Sequence, residues 1–174
     1  IDTVKSFWFH ESLNPKPLSR LVTLYLKCVS GVSKEDKKRT VLFKAINTVY
    51  SSMSTDRDNL GVWVYGNNSE SLYYQLIDRL LSKYHQPNAD HLELILKIHE
   101  DLSKRQMKEF WSSNQKLFYG LTQRLYVYDQ KSKDFYYRLL IAIHDSLPGE
   151  DVKKWWSAKE EKSAIYSFQK ILRL

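Results

Sequence analysis

Cysteine occurs once in these 174 residues, as Cys28. One thiol can form neither an intrachain disulfide nor a thiolate zinc knuckle, so the fold has to come from packing. Glycine is also scarce, with five residues at positions 31, 61, 66, 120 and 149. Gly61 and Gly66 have the spacing of a phosphate-cradling loop, but Asn67 and Asn68 stand where that loop needs Lys and Ser or Thr. No Gly-x-Ser-x-Gly elbow is present, which removes the esterase chemistry built on it. No stretch of about 18 apolar residues occurs, so no segment has the pattern of a membrane span. A signal-peptide pattern is missing as well, and the first residue is Ile1 rather than Met, as expected of a fragment or a processed form.

Histidine is sparse and scattered, at His10, His85, His91, His99 and His144. His91 and His99 lie about two helical turns apart, too far to share a metal without a third ligand between them. Around His99 the sequence runs His99-Glu100-Asp101, which is not the His-Glu-x-x-His zinc helix. His144, near a helix end, suits the helix dipole as a cation. The expectation is therefore no catalytic residue, no metal and no cofactor. Asn67-Asn68-Ser69 is a glycosylation sequon, meaningful only along a eukaryotic secretory route.

Aromatic residues are plentiful, with 12 Tyr and 5 Trp, and hydrophobic residues make up 43% of the chain. That composition argues for a packed core and against disorder. The rings serve either a core of large side chains or a displayed binding surface, since Tyr and Trp are favoured at interface hot spots. The formal charge is +7, yet Ser33-Lys34-Glu35-Asp36-Lys37-Lys38-Arg39 and Lys159-Glu160-Glu161-Lys162 interleave the two signs. Such interleaving is the mark of an exposed helix face laced with ion pairs.

The apolar residues repeat at helical spacing. Pro17, suited to a first turn, opens a helix through Leu18, Leu21, Val22, Tyr25 and Val29 to Gly31. Ser33 should cap the next, whose stripe is Val41, Leu42, Ala45, Ile46, Val49 and Met53. Residues 54–59 look like a polar loop. Leu60 to Tyr65 alternates like a strand, but a strand without a partner is unstable, so an extended loop or short distorted helix inserting Trp63 is expected. Asn67 or Asn68 then caps a helix with Leu72, Tyr73, Leu76, Ile77, Leu80 and Leu81 inward, and a shorter one follows from Asn88. Met107 to Tyr128 reads as one long helix around which the rest is organised, with Gly120 marking a close crossing. Asp129 to Lys131 should turn the chain, Ser132 cap the next helix, and a last helix from about Glu150 carry Trp155 and Trp156. The sum is an all-α bundle or irregular stack of about seven helices. It forms a single domain over residues 1–174, or two packed modules with a boundary near 54–69.

Two segments carry a more specific pattern. The first has Trp8, Asn14-Pro15, Leu18, Leu21 and Leu24-Tyr25-Leu26, then a helix ending in Asn47-Thr48-Val49-Tyr50. The second is Lys154-Trp155-Trp156 followed by Phe168-Gln169-Lys170-Ile171-Leu172-Arg173-Leu174. Together they resemble the WY modules of RXLR effectors secreted by oomycete plant pathogens. That resemblance implies a Trp–Tyr core pair, here Trp8 with Tyr50, together with secretion, entry into host cells and binding of a host protein in virulence, without catalysis. The Arg-x-Leu-Arg signature is absent and would precede Ile1. Outside that resemblance the chain would be intracellular.

The leading expectation is thus a non-catalytic helical protein-interaction module with a protein partner. Tyr74, Tyr119 and Tyr137, each beside a core-facing neighbour, are the candidate partner-binding residues. The alternative is a basic nucleic-acid-binding scaffold or accessory subunit. It would use Lys37, Lys38, Arg39, Lys104, Arg105 and Lys108 against phosphates.

Overall fold

A computed structural model describes residues 17–30, 36–53, 57–64, 71–82, 89–124 and 130–150. Every regular element among them is an α-helix, as the apolar periodicity requires. The chain divides into two compact units, Ile1–Ile95 and Leu96–Leu174.

In the first unit, α1 (Pro17–Ser30) buries Leu18, Val22 and Tyr25, and α2 (Asp36–Met53) buries Ile46, Val49, Tyr50 and Met53. These i, i+3, i+4, i+7 spacings line one side of each helix, and the two helices pack on each other. α3 (Arg57–Val64) lies inside the 54–69 stretch and packs on α2 and α4 (Leu72–Leu81) within this unit.

α3 corrects one expectation and decides another. Residues 57–59 are helical rather than loop, and of the extended loop and short helix expected from Leu60 on, the segment is helix up to Val64. Leu60, Trp63 and Val64 are buried at i, i+3 and i+4, so the same residues that alternate along a strand also fill one helical face. Trp63 does enter the core: it is fully buried and meets the Tyr50 ring edge-on, centroids 5.4 Å apart at 72°. The N-cap of α4 is Ser71, whose hydroxyl accepts the Tyr74 N–H at 3.2 Å and donates to the Trp63 carbonyl at 2.9 Å. One buried hydroxyl thereby caps α4 and ties it to α3. Asn67 and Asn68 lie outside the described residues, as do Ser33, Asn88, the first sixteen residues and the expected helix beyond Glu150.

The division between the units falls within α5 (Ala89–Asp101). In the second unit α6 (Lys104–Ser113) starts with a capping box. Ser103 Oγ accepts the Gln106 N–H at 3.3 Å, and Gln106 Oε1 accepts the Ser103 N–H at 2.9 Å. The expected long helix does not run on from there. α6 ends at Ser113 with Asn114 as its C-cap, and α7 (Gln115–Arg124) begins directly after it. Asn114 has φ −127° and ψ 37°, and its N–H goes to the Trp111 carbonyl at 3.1 Å. Its side-chain amide instead donates to the Phe110 carbonyl at 2.8 Å, taking the bond its own backbone would make in a continuous helix. The interruption keeps two separate apolar faces: Met107, Phe110 and Trp111 on α6, and Leu117, Phe118 and Leu121 on α7.

α8 (Gln130–Ser146) packs on both α6 and α7 through a face that includes Phe135, Tyr136, Leu139, Leu140 and Ile143. It starts before Ser132, so Gln130 and Lys131 are helical rather than turn and Ser132 is not its cap. Among the described residues the aromatic side chains are largely core: Trp63, Trp111, Tyr25, Tyr50, Tyr73, Tyr136 and Phe118 are among the largest fully buried side chains. Among the described residues no helix is long and apolar enough to cross a membrane.

Candidate functional site

The burial of one stripe on α1 and one on α2 decides what their other sides show. Arg20, Thr23, Leu24 and Lys27 lie on the exposed side of α1; Lys37, Lys38, Thr40, Val41, Lys44 and Thr48 lie on that of α2. Leu24 is 42% exposed and Val41 66%, and both are large apolar side chains standing in solvent. Each has a cation four residues before it and another three residues after it: Arg20–Leu24–Lys27 and Lys37–Val41–Lys44. Positions at i, i+4 and i+7 share a helix face, so each aliphatic sits between two positive charges, one turn to either side. Apart from Asp36 at the start of α2, neither helix contains an acidic residue. Among the described residues the exposed side of each helix is therefore basic, in contrast to the sequence interleaving along residues 33–39.

Arg39 is not part of that face. It is half-buried with its Nε out of solvent, and its guanidinium acts on the buried Tyr25 hydroxyl. Burial first and the Asp90 carboxylate second push the Tyr25 pKa up, while Arg39 works in the opposite direction. His91 belongs to the same interior: its ring centroid is 5.7 Å from that of Tyr25 and its Nε2 is 2.9 Å from the Leu76 carbonyl. Arg39 is thus part of a polar cluster inside the first unit.

The other cations expected to bind anions lie in the second unit. Lys104, Arg105 and Lys108 are exposed on α6, but the Arg105 guanidinium is held by Glu109 at 2.9 Å, one turn on. The two basic clusters belong to different units. The three tyrosines considered for partner binding are half-buried rather than exposed: Tyr74 beside Tyr73, Tyr119 with its ring 6.0 Å from Phe118, and Tyr137 beside Tyr136. Tyr74 lies in the first unit, Tyr119 and Tyr137 in the second.

Tyr50, assigned to Trp8 by the WY resemblance, is packed against Trp63; Trp8 lies outside the described residues. His99 is only 5% exposed. Burial lowers its pKa to about 4, partly offset by a hydrogen bond to the Ala142 backbone, so the imidazole is neutral at neutral pH. His144 Nδ1 lies 3.1 Å from the Asp145 carboxylate in the last turn of α8. Among the described residues no three His, Cys, Asp or Glu side chains are grouped to hold a metal ion.

The residues that sequence reasoning missed are Leu24 and Val41. Periodicity places Val41 in the buried stripe of its helix, because it counts an aliphatic at that spacing as inward, whereas Leu24 stands outside the inward series of α1 and is assigned no role of its own. The available signal was the cation on either side, since a position between two charges on one helix face is in water. Comparison of the chain with protein-family models, with curated proteins and with solved structures gives no match.

Proposed function

We propose that this chain is a non-catalytic α-helical protein-interaction module, and that its most specific form is a secreted pathogen effector that binds a host protein. The observation that carries this is the basic outer face of α1 and α2 with Leu24 and Val41 standing out of it. Exposed aliphatic surface gains nothing from water, and an apolar centre with a polar rim is the anatomy of a protein interface. Among the described residues most of the Tyr and Trp rings lie in the core, so this reading rests on the two helices and not on the aromatic count. The resemblance to WY modules supplies the setting of host cells, secretion and virulence.

A photo-crosslinking side chain at position 41 tests it, with the same side chain at exposed Gln123 of the second unit as control. In host-plant extract, position 41 should give a discrete protein adduct that position 123 does not. The captured protein, once purified, should bind the chain with a Kd of about a micromolar or tighter. Equal labelling from both positions would refute the reading. Adducts with nucleic acid alone would replace it with the basic-scaffold alternative.

A further inference from the structure

We infer that the outer face of α1 and α2 docks an acidic amphipathic helix, in which an apolar residue is flanked one turn to each side by carboxylates. This rests on the protein-interaction reading above and specifies the partner's chemistry. The repeated motif sets the requirement. On both helices a cation, an aliphatic and a cation follow at i, i+4 and i+7, spanning about 10 Å along the axis. An acid, apolar, acid series with the same spacing on a partner helix matches that length. Its apolar side chain covers Leu24 or Val41 while its carboxylates lie over Arg20 and Lys27, or Lys37 and Lys44. The lack of acids in these helices after Asp36 means that a carboxylate approaching the face meets no like charge from them.

The same features weigh against the other polyanions. A phosphate backbone satisfies the cations but leaves Leu24 and Val41 against charged oxygens, and the exposed crests carry no aromatic ring on which a base could stack. A lipid surface takes up helices with a continuous apolar face, whereas here each crest holds one aliphatic between charges. An acidic helix uses both parts of the motif at once.

The test uses the full chain and a synthetic stapled helical peptide carrying Leu with Glu four residues before and three after, in two repeats, labelled for fluorescence anisotropy. A control peptide of the same composition has its Leu residues moved to the opposite face. Saturable binding at micromolar levels is expected, about tenfold weaker for the control peptide and at least about tenfold weaker for Lys37→Glu/Lys44→Glu. Leu24→Ser/Val41→Ser should weaken it by about fivefold or more, with the helical circular dichroism of both variants unchanged. The inference is overturned if neither peptide binds, if both bind equally, if the variants bind like the parent, or if duplex DNA or phosphatidylserine vesicles bind more tightly than the acidic peptide. A failed peptide together with a specific adduct at position 41 would overturn the acidic-helix partner while leaving the interaction module standing; failure of both would remove both.

Discussion

His99 makes the second unit sensitive to acid, and the size of the effect follows from its surroundings. The imidazole is 5% exposed, and burial brings its pKa to about 4 from an ordinary 6.5. Above pH 6.5 the ring is neutral in both folded and unfolded chains, and the full stability is present. Between 6.5 and about 4 the unfolded chain takes up a proton that the folded one refuses, so stability falls as pH falls. Below about 4 both forms are protonated and the loss levels off. At 1.36 kcal/mol per decade, the whole interval removes about 3 kcal/mol, a large share of the margin of a typical domain. Two measurements check this. The His99 ring resonance in the folded chain should titrate with a midpoint near 4. Urea unfolding at pH 7.5 and at pH 4 should show the parent losing about 3 kcal/mol more than His99→Asn or His99→Gln, which cannot take up the proton. The comparison cancels His91, common to all the proteins. A ring midpoint near 6.5, or the same acid loss in parent and variants, would refute the reasoning.

Two further substitutions probe the packing. Ser71→Ala removes both the N-cap of α4 and the bond to the Trp63 carbonyl and should cost about 2 kcal/mol in urea unfolding; a loss below about 0.5 kcal/mol would show that neither bond matters. Gly149→Ala meets nothing within 4 Å and should leave stability unchanged or raise it by up to about 1 kcal/mol, so a clear loss in thermal unfolding would contradict the open space found there.

Helical periodicity made the fold class legible, together with the extents of α1 and α2 and the inward turn of Trp63. It left alternatives open where one pattern admits two geometries, and it failed where a polar side chain overrides it. Leu60 and Val64 fit a strand and a helix equally; only the burial of Trp63 against Tyr50 decides between them. Asn114 broke a stripe that was apolar on both sides of it. The warning lay in Ser112-Ser113-Asn114, three residues whose side chains compete for backbone bonds. The turn-forming Asn67 and Asn68 draw the expected cap upstream of Ser71, the residue that caps α4. The candidate surface was hidden because Arg20, Lys27, Lys37 and Lys44 are scattered along the sequence and flank Leu24 and Val41 only at helical spacing. The boundary between the units carries no sequence signal, because it falls within a helix.

The joint at Asn114 has a consequence for the nascent chain. α6 and α7 are ten residues each, below the length of about 12 to 15 at which a helix holds alone in water. Their shared support, α8, is translated after both. Until it leaves the ribosome, Phe110, Trp111, Leu117 and Phe118 have no completed core to enter. The order of synthesis therefore opens an interval in which this segment is a substrate for chaperones that bind hydrophobic stretches, and the emergence of α8 closes it.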